Sequence, residues 1–147
     1  MTDQQSPLDL DTARDLLRRA REVRRHSYAP YSSFPVGAAL LADDGRVFTG
    51  VNVENASFGL TTCAERTAVV KAISEGARGF RAVAVTGPED DVACAPCGSC
   101  RQILHEADPE MVVVMAGAAG EPETMPLAAL LPGAFGGQRL RDGQESS

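Results

Sequence analysis

Two short segments hold most of the residues able to do chemistry, Cys63-Ala64-Glu65 and Pro96-Cys97-Gly98-Ser99-Cys100. Cys97 and Cys100 follow a proline suited to the first turn of a helix. Their i,i+3 spacing predicts side chains on one turn, with Cβ atoms about 5–6 Å apart. From there both sulfurs can reach one metal ion at about 2.3 Å. A helix N-terminus also favours the thiolate, the form that binds zinc. Cys63 opens a second predicted helix and adds a third thiolate if the two helix starts converge. Three protein ligands leave the fourth tetrahedral position of a zinc ion to water, the arrangement of a catalytic site. Zinc lowers the pKa of water from about 15.7 towards about 7. Three thiolates weaken this effect by their negative charge, and Arg66 is the nearby cation that offsets it. Glu65 is the carboxylate available to move the proton, although residues i and i+2 do not share a helical face.

Each feature also has a plainer reading. Thr62-Cys63-Ala64-Glu65 fits a capping box, with Thr62 as N-cap and Glu65 as its reciprocal partner. A lone buried cysteine is usually a small hydrophobe. Cys94, Cys97 and Cys100 hint at an iron–sulfur run, but the fourth ligand at the customary spacing is missing. All four cysteines of the chain could instead close a structural zinc site. His26 and His105 stand outside these clusters and read as ordinary surface or core histidines.

The elements that must position these residues follow from periodicity. Residues 9–26 read as an amphipathic helix with Ala13, Leu16, Leu17, Ala20 and Val23 on one arc. Beside it Arg14, Arg18, Arg21 and Arg25 form a stripe, read as a solvated face balanced by Asp15–Arg19 and Glu22–Arg25 pairs. The segments 36–42 and 46–52, joined through Asp43-Asp44-Gly45, predict a β-hairpin. A helix over 63–75 buries Ala64, Ala68, Ala72 and Ile73 and stops at Gly76. A strand over 81–86, a helix over 96–107, a strand over 111–116 and a short helix over 126–131 complete the order. Strands that each follow a helix suggest parallel pairing, and the hairpin is antiparallel. The expected fold class is α/β, a three-layer α/β/α arrangement around a central mixed sheet. The whole chain, 1–147, reads as one domain with a core over about 10–136 and a loose polar tail over 137–147.

Composition narrows the partners. A chain of 147 residues, 44% hydrophobic and 23% charged, is ordinary for a globular protein and buries roughly 70% of its unfolded surface. A net charge of −6 argues against gripping a phosphate backbone, which calls for clustered Lys and Arg. Met1–Pro7 is polar, and no stretch nears the roughly 18 apolar residues of a membrane span. The expected location is therefore cytoplasmic, with no membrane and no nucleic-acid partner, and in that compartment the cysteines stay out of structural disulfides.

Together the two motifs match the zinc-deaminase signature, a ligand-x-Glu followed by Pro-Cys-x-x-Cys, and the chain resembles the cytidine deaminase family in its short, homotetrameric form. Tyr28-Ala-Pro-Tyr-Ser-Ser-Phe-Pro-Val-Gly-Ala-Ala-Leu40 is similar to the family's first block. Asn52-Val-Glu-Asn-Ala56 resembles its ribose-binding segment, and Leu130-Leu-Pro-Gly-Ala-Phe135 its C-terminal block. The resemblance implies one zinc ion per subunit on Cys63, Cys97 and Cys100, with Glu65 as proton shuttle. It implies Asn52 and Glu54 on the sugar, Phe34 and Ala64 against the nucleoside, and Arg66 on the metal-bound sulfurs. Phe135 would reach into a neighbouring subunit's site. The implied reaction is hydrolytic deamination of cytidine and 2′-deoxycytidine to the uridines and ammonia, in pyrimidine salvage. The alternatives are a related deaminase acting on blasticidin S or a nucleobase in RNA, and a catalytically silent zinc-binding scaffold. Two departures stand out: Phe58 where many relatives have Tyr, and the extra thiol of Cys94.

Overall fold

The structure is a computed structural model that describes residues 8–137, 140 and 141. Helix α1, Leu10–Val23, starts where Asp9 accepts a hydrogen bond from the Thr12 N–H at 2.7 Å, which satisfies one of the free donors of the first turn. Its buried stripe is Ala13, Leu16, Leu17 and Ala20, and the chain then tightens into a 3₁₀ turn over Arg24–His26. Asp15 binds both Arg18 and Arg19. Glu22 pairs with Arg18 rather than with the expected Arg25, because Arg25 lies past the end of α1 in the tighter 3₁₀ turn, off the helical i+3 position.

Strands β1, Gly37–Ala42, and β2, Val47–Val51, form the expected hairpin, turned at Gly45 with φ +93°. Helix α2 runs Ala64–Ser74, strand β3 Phe80–Thr86, helix α3 Gly98–Ala107 and strand β4 Val112–Ala116. Strand β5, Pro122–Pro126, and the single-turn helix α4, Leu127–Leu130, follow. The five strands form one sheet in the order β2-β1-β3-β4-β5. Only β3 and β4 are parallel, joined by the α3 crossover; the other neighbours are antiparallel.

Alternation along the strands sends side chains to opposite faces, and each face has its own core. Ala39, Leu41, Ala82, Ala84, Val114 and Ala116 pack under α1. Ala38, Leu40, Ala42, Val83, Val85, Val113 and Met115 pack with α2, Leu104 of α3 and Leu127 of α4. The layers are therefore α/β/α around a mixed sheet. Two glycines set how closely the layers approach. A Cβ on Gly37 would lie 2.0 Å from the Ala20 carbonyl oxygen, and one on Gly50 would lie 2.6 Å from backbone atoms of Ala64 and Ala68. The absence of a side chain at Gly50 thus lets the start of α2 sit directly on the sheet.

Three expectations need correction. Ile73 is 38% exposed, and Val69 takes its place inside, since Val69 lies nearer the centre of the apolar arc. Helix α3 starts at Gly98 with Cys97 as its N-cap, so Pro96 precedes the helix instead of opening it. β5 lacked a sequence signal, being an exposed edge strand with proline at both ends, a position that tolerates proline. Gly137, Leu140 and Arg141 have helical backbone. The rest of the tail, 138, 139 and 142–147, and the polar start Met1–Pro7 lie outside the described residues.

Candidate metal centre and active site

The two motifs meet because two helices start at the same place. Cys63 is the N-cap of α2, with extended backbone at φ −75°, ψ 157°. Cys97 is the N-cap of α3, at φ −67°, ψ 169°, and Cys100 is buried in the first turn. The three sulfurs lie within 4.8 Å of one another. Neither cysteine cap makes a side-chain capping bond. The capping box does not form: Thr62 stands outside the helix in an isolated β-bridge with Val53. Glu65 turns inward and is only 4% exposed. The i,i+2 objection also falls away, because Cys63 is not itself helical.

The donor set fits zinc. Four tetrahedral bonds of about 2.3 Å would hold sulfurs about 3.8 Å apart, inside the observed limit. Cys63 is pulled down from the usual thiol range by hydrogen bonds with Cys100 and Cys97 and by the charge of Arg66, against burial. Its partner Cys100 is pushed up, first by that same hydrogen bond and then by burial and the charge of Glu65. Metal binding requires the thiolate at each position and releases the protons held there. Arg66 is exposed and acts here through charge; among the described residues it makes no hydrogen bond to a cysteine sulfur. Cys94 stands outside the cluster, so a closed four-cysteine site is not formed.

Beside the sulfurs is a cavity of about 260 Å³ lined by Phe34, Val36, Asn52, Thr61, Cys63, Ala64, Glu65, Cys94, Ala95 and Cys97. Burial raises the Glu65 carboxyl to about 7, and the nearby Cys63 charge adds to the rise; hydrogen bonds to its own N–H and to Cys100 oppose it. A buried carboxyl poised near neutrality can both accept and return a proton. Asn52 and its neighbours are held in place by bridges of Val53 to Tyr28 and to Thr62. The Asn52 side chain donates to the Phe34 carbonyl at 2.8 Å and accepts from Val36 N–H at 2.9 Å and from the Ser27 hydroxyl.

Glu54 faces an adjoining hollow of about 240 Å³ with Tyr31, Ser32, Phe58 and Thr61; Thr61 borders both spaces. Its carboxylate accepts from the backbone N–H groups of Tyr31 and Ser32 at 2.9 and 3.1 Å and from the Ser32 hydroxyl. Phe58 meets Tyr31 edge-on, with ring centroids 6.1 Å apart, so the missing hydroxyl leaves an aromatic contact intact. Phe135 does not line the cavity of its own chain. It is 58% exposed, and its carbonyl accepts from Gln102 at 2.8 Å. Sequence reasoning missed Val36, Thr61 and Ala95 as lining residues; small apolar or hydroxyl side chains in loops carry no signal of their own.

Fold and site thus define a three-thiolate zinc centre opening, beside a buried carboxylate, into a cavity between two helix starts and a sheet edge. The family model for the cytidine and deoxycytidylate deaminase zinc-binding region matches residues 10–116, a span that includes all three clustered cysteines. A cytidine deaminase of Sporosarcina psychrophila is 44% identical over 126 residues, covering 85% of this chain and 92% of that protein. One from Halalkalibacterium halodurans is 45% identical over 128 residues, covering 86% and 96%. The crystal structure of cytidine deaminase from Burkholderia pseudomallei superposes with a TM-score of 0.77 at 46% identity, covering 83% of this chain and 98% of that one. The chain belongs to the cytidine and deoxycytidylate deaminase family. Its one cluster of metal-competent thiols among the described residues corresponds to one zinc ion per subunit.

Proposed function

We propose that the chain hydrolyses cytidine and 2′-deoxycytidine to the corresponding uridines and ammonia, serving pyrimidine salvage. The observation that carries this reading is the buried Glu65 facing the same cavity as Cys63 and Cys97. Cys63, Cys97 and Cys100 hold the zinc ion. When bound, zinc supplies Lewis acidity that lets a water lose its proton near neutral pH. Glu65 takes the proton of the attacking water and delivers it to N3 of the pyrimidine as the oxygen bonds to C4. Glu65 then carries a proton to the amino nitrogen, the C4–N bond breaks, and ammonia leaves as C4 becomes a carbonyl. A positioned acid–base group contributes about 10²–10⁴-fold, and here one carboxylate serves every transfer.

The remaining roles follow the cavity walls. Phe34 and Ala64 border the space for the pyrimidine, and Asn52, which lines the same cavity, faces the sugar. Glu54, held by three hydrogen bonds, offers its carboxylate to the sugar hydroxyls. Arg66 offsets the charge of the three thiolates. Phe34 of the cavity and Tyr31 and Phe58 of the adjoining hollow are exposed apolar side chains, as is Leu60 next to Thr61, which suits coverage by further copies of the chain. This supports a homotetramer in which Phe135 of one copy borders a neighbour's cavity. Among the described residues no helix is long and apolar enough to cross a membrane, which agrees with work in the cytoplasm on a free nucleoside. The whole chain acts as one deaminase domain.

The test is the ultraviolet absorbance of cytidine mixed with zinc-loaded protein, with adenosine and blasticidin S in parallel. Loss of the cytidine band with stoichiometric ammonia is the expected result. Turnover of another substrate alone, or of none, contradicts the proposal.

A further inference from the structure

The arginine stripe of α1 is not uniformly a solvated face. Arg14, Arg18 and Arg19 end in surface pairs, but Arg21 of α1 and Arg24 of the 3₁₀ turn that follows it grip the segment between β3 and α3. Arg24, only 19% exposed along its side chain, sits 2.9 Å from Asp90 Oδ1 and donates to the Gly87 carbonyl at 2.7 Å and to Thr86 Oγ1 at 3.4 Å. Arg21 donates to the Asp90 carbonyl at 2.6 Å and the Gly120 carbonyl at 2.9 Å. Its Nε is buried without a hydrogen-bond partner. Each guanidinium reaches its acceptors through one terminal nitrogen, Nη1 of Arg24 and Nη2 of Arg21, so a single charged group ties several points of the backbone together.

The gripped segment borders the cavity. A Cβ placed on Gly87 would lie 3.3 Å from both Cβ and Sγ of Cys94 and 3.5 Å from Cζ of Phe34. Gly87, Cys94 and Phe34 therefore pack together, and Cys94 and Phe34 line the space that Glu65 faces. Gly87 touches Arg24 on one side and this wall on the other.

We propose that Arg24 is a positioning residue for the reaction, fixing through Gly87 the Cys94–Phe34 wall against which the substrate ring is held. This inference rests on the deaminase reading of the site. Arg24 touches no substrate; it acts through the shape of the wall that binds the ring, so its loss weakens ground-state and transition-state binding alike. Asp90 and Arg21 support the same segment, and Cys94 is part of the wall rather than an incidental thiol.

The experiment compares zinc-loaded Arg24→Ala, Arg24→Lys and Gly87→Ala with the parent chain. It measures zinc content, cytidine kinetics, and the rate at which iodoacetamide labels Cys94, located by peptide mass mapping. For Arg24→Ala the expected result is one zinc per chain, KM raised about tenfold with kcat within about threefold, and Cys94 labelled about five times faster. Arg24→Lys, which keeps one donor for the Gly87 carbonyl, recovers part of both effects. Gly87→Ala raises KM by pressing on the wall from behind, and it carries the test should Arg24→Ala fail to fold. KM and Cys94 labelling within twofold of the parent in the folded variants overturn the proposal, as does a fall in kcat alone with both unchanged. A parent chain that does not deaminate cytidine defeats the deaminase reading instead, and the labelling rates still decide whether Arg24 holds the wall.

Discussion

Helix α1 and the pair α2 and α3 lie on opposite faces of one sheet and begin in opposite ways. α1 has an aspartate cap with a 2.7 Å bond to its first turn, a clean apolar stripe, and surface ion pairs. α2 and α3 begin with cysteines that make no capping bond, and α2 carries a carboxylate in its buried first turn. The first arrangement serves stability. The second leaves helix donors uncapped and desolvates an acid, and what it gains is a set of thiolates at two helix N-termini beside a proton carrier. Strain of this kind concentrates at functional sites while the surrounding fold offsets it.

The contrast is broken most severely at the sulfurs. Cys63→Ala or Cys97→Ala should lower zinc content well below one per chain and cut deaminase activity by about 10³-fold or more, several kcal/mol of barrier. Metal analysis and turnover on the same sample check this. An activity that persists without metal would separate the cysteines from the chemistry.

A smaller effect sharpens the cost of the buried acid. Glu65 titrates from 4.5 in a free chain to about 7 in the fold, so the folded state binds more protons between those values. Stability from this group is full below about 4.5 and is lost as pH rises through about 7. In metal-free protein, Glu65→Gln should therefore be more stable than the parent at pH 8, by about 1–3 kcal/mol. The advantage should shrink towards pH 4.5. Denaturant melts at the two pH values check the sign, and a difference that does not change with pH contradicts the burial account.

The smallest effect belongs to the other helix. Asp9→Ala removes the α1 cap and should lower Tm by about 2–4 °C while leaving zinc content and kcat unchanged. Thermal melts beside cytidine kinetics check it. A loss of turnover there would mean that the two faces are not independent.

Much of this was legible in the chain. The hairpin, α1, α2, α3, β3 and β4 follow from periodicity and from punctuation at Gly45 and Gly76, because those signals are local. β5 was not legible: Pro122-Glu-Thr-Met-Pro126 pairs on one side only and exposes most of its side chains, so neither alternation nor composition marks it. The metal cluster was legible as spacing, yet the sequence alone left Glu65 between capping box and proton shuttle. That ambiguity turns on one residue of register. With Cys63 rather than Thr62 as N-cap, Glu65 has no cap to complete and points into the cavity. Arg21 shows the complementary limit: a charge stripe reads the same whether its arginines end in solvent pairs or on a distant backbone, and Arg24, outside that stripe, carried no signal of its own.

The buried carboxylate, not the metal alone, carries the reaction, and Glu65→Ala is the variant that decides it. Zinc content and cytidine turnover should be measured on the same folded preparation. One zinc per chain with turnover reduced by about 10²–10⁴-fold is the expected result. Full zinc occupancy with turnover near that of the parent would contradict it.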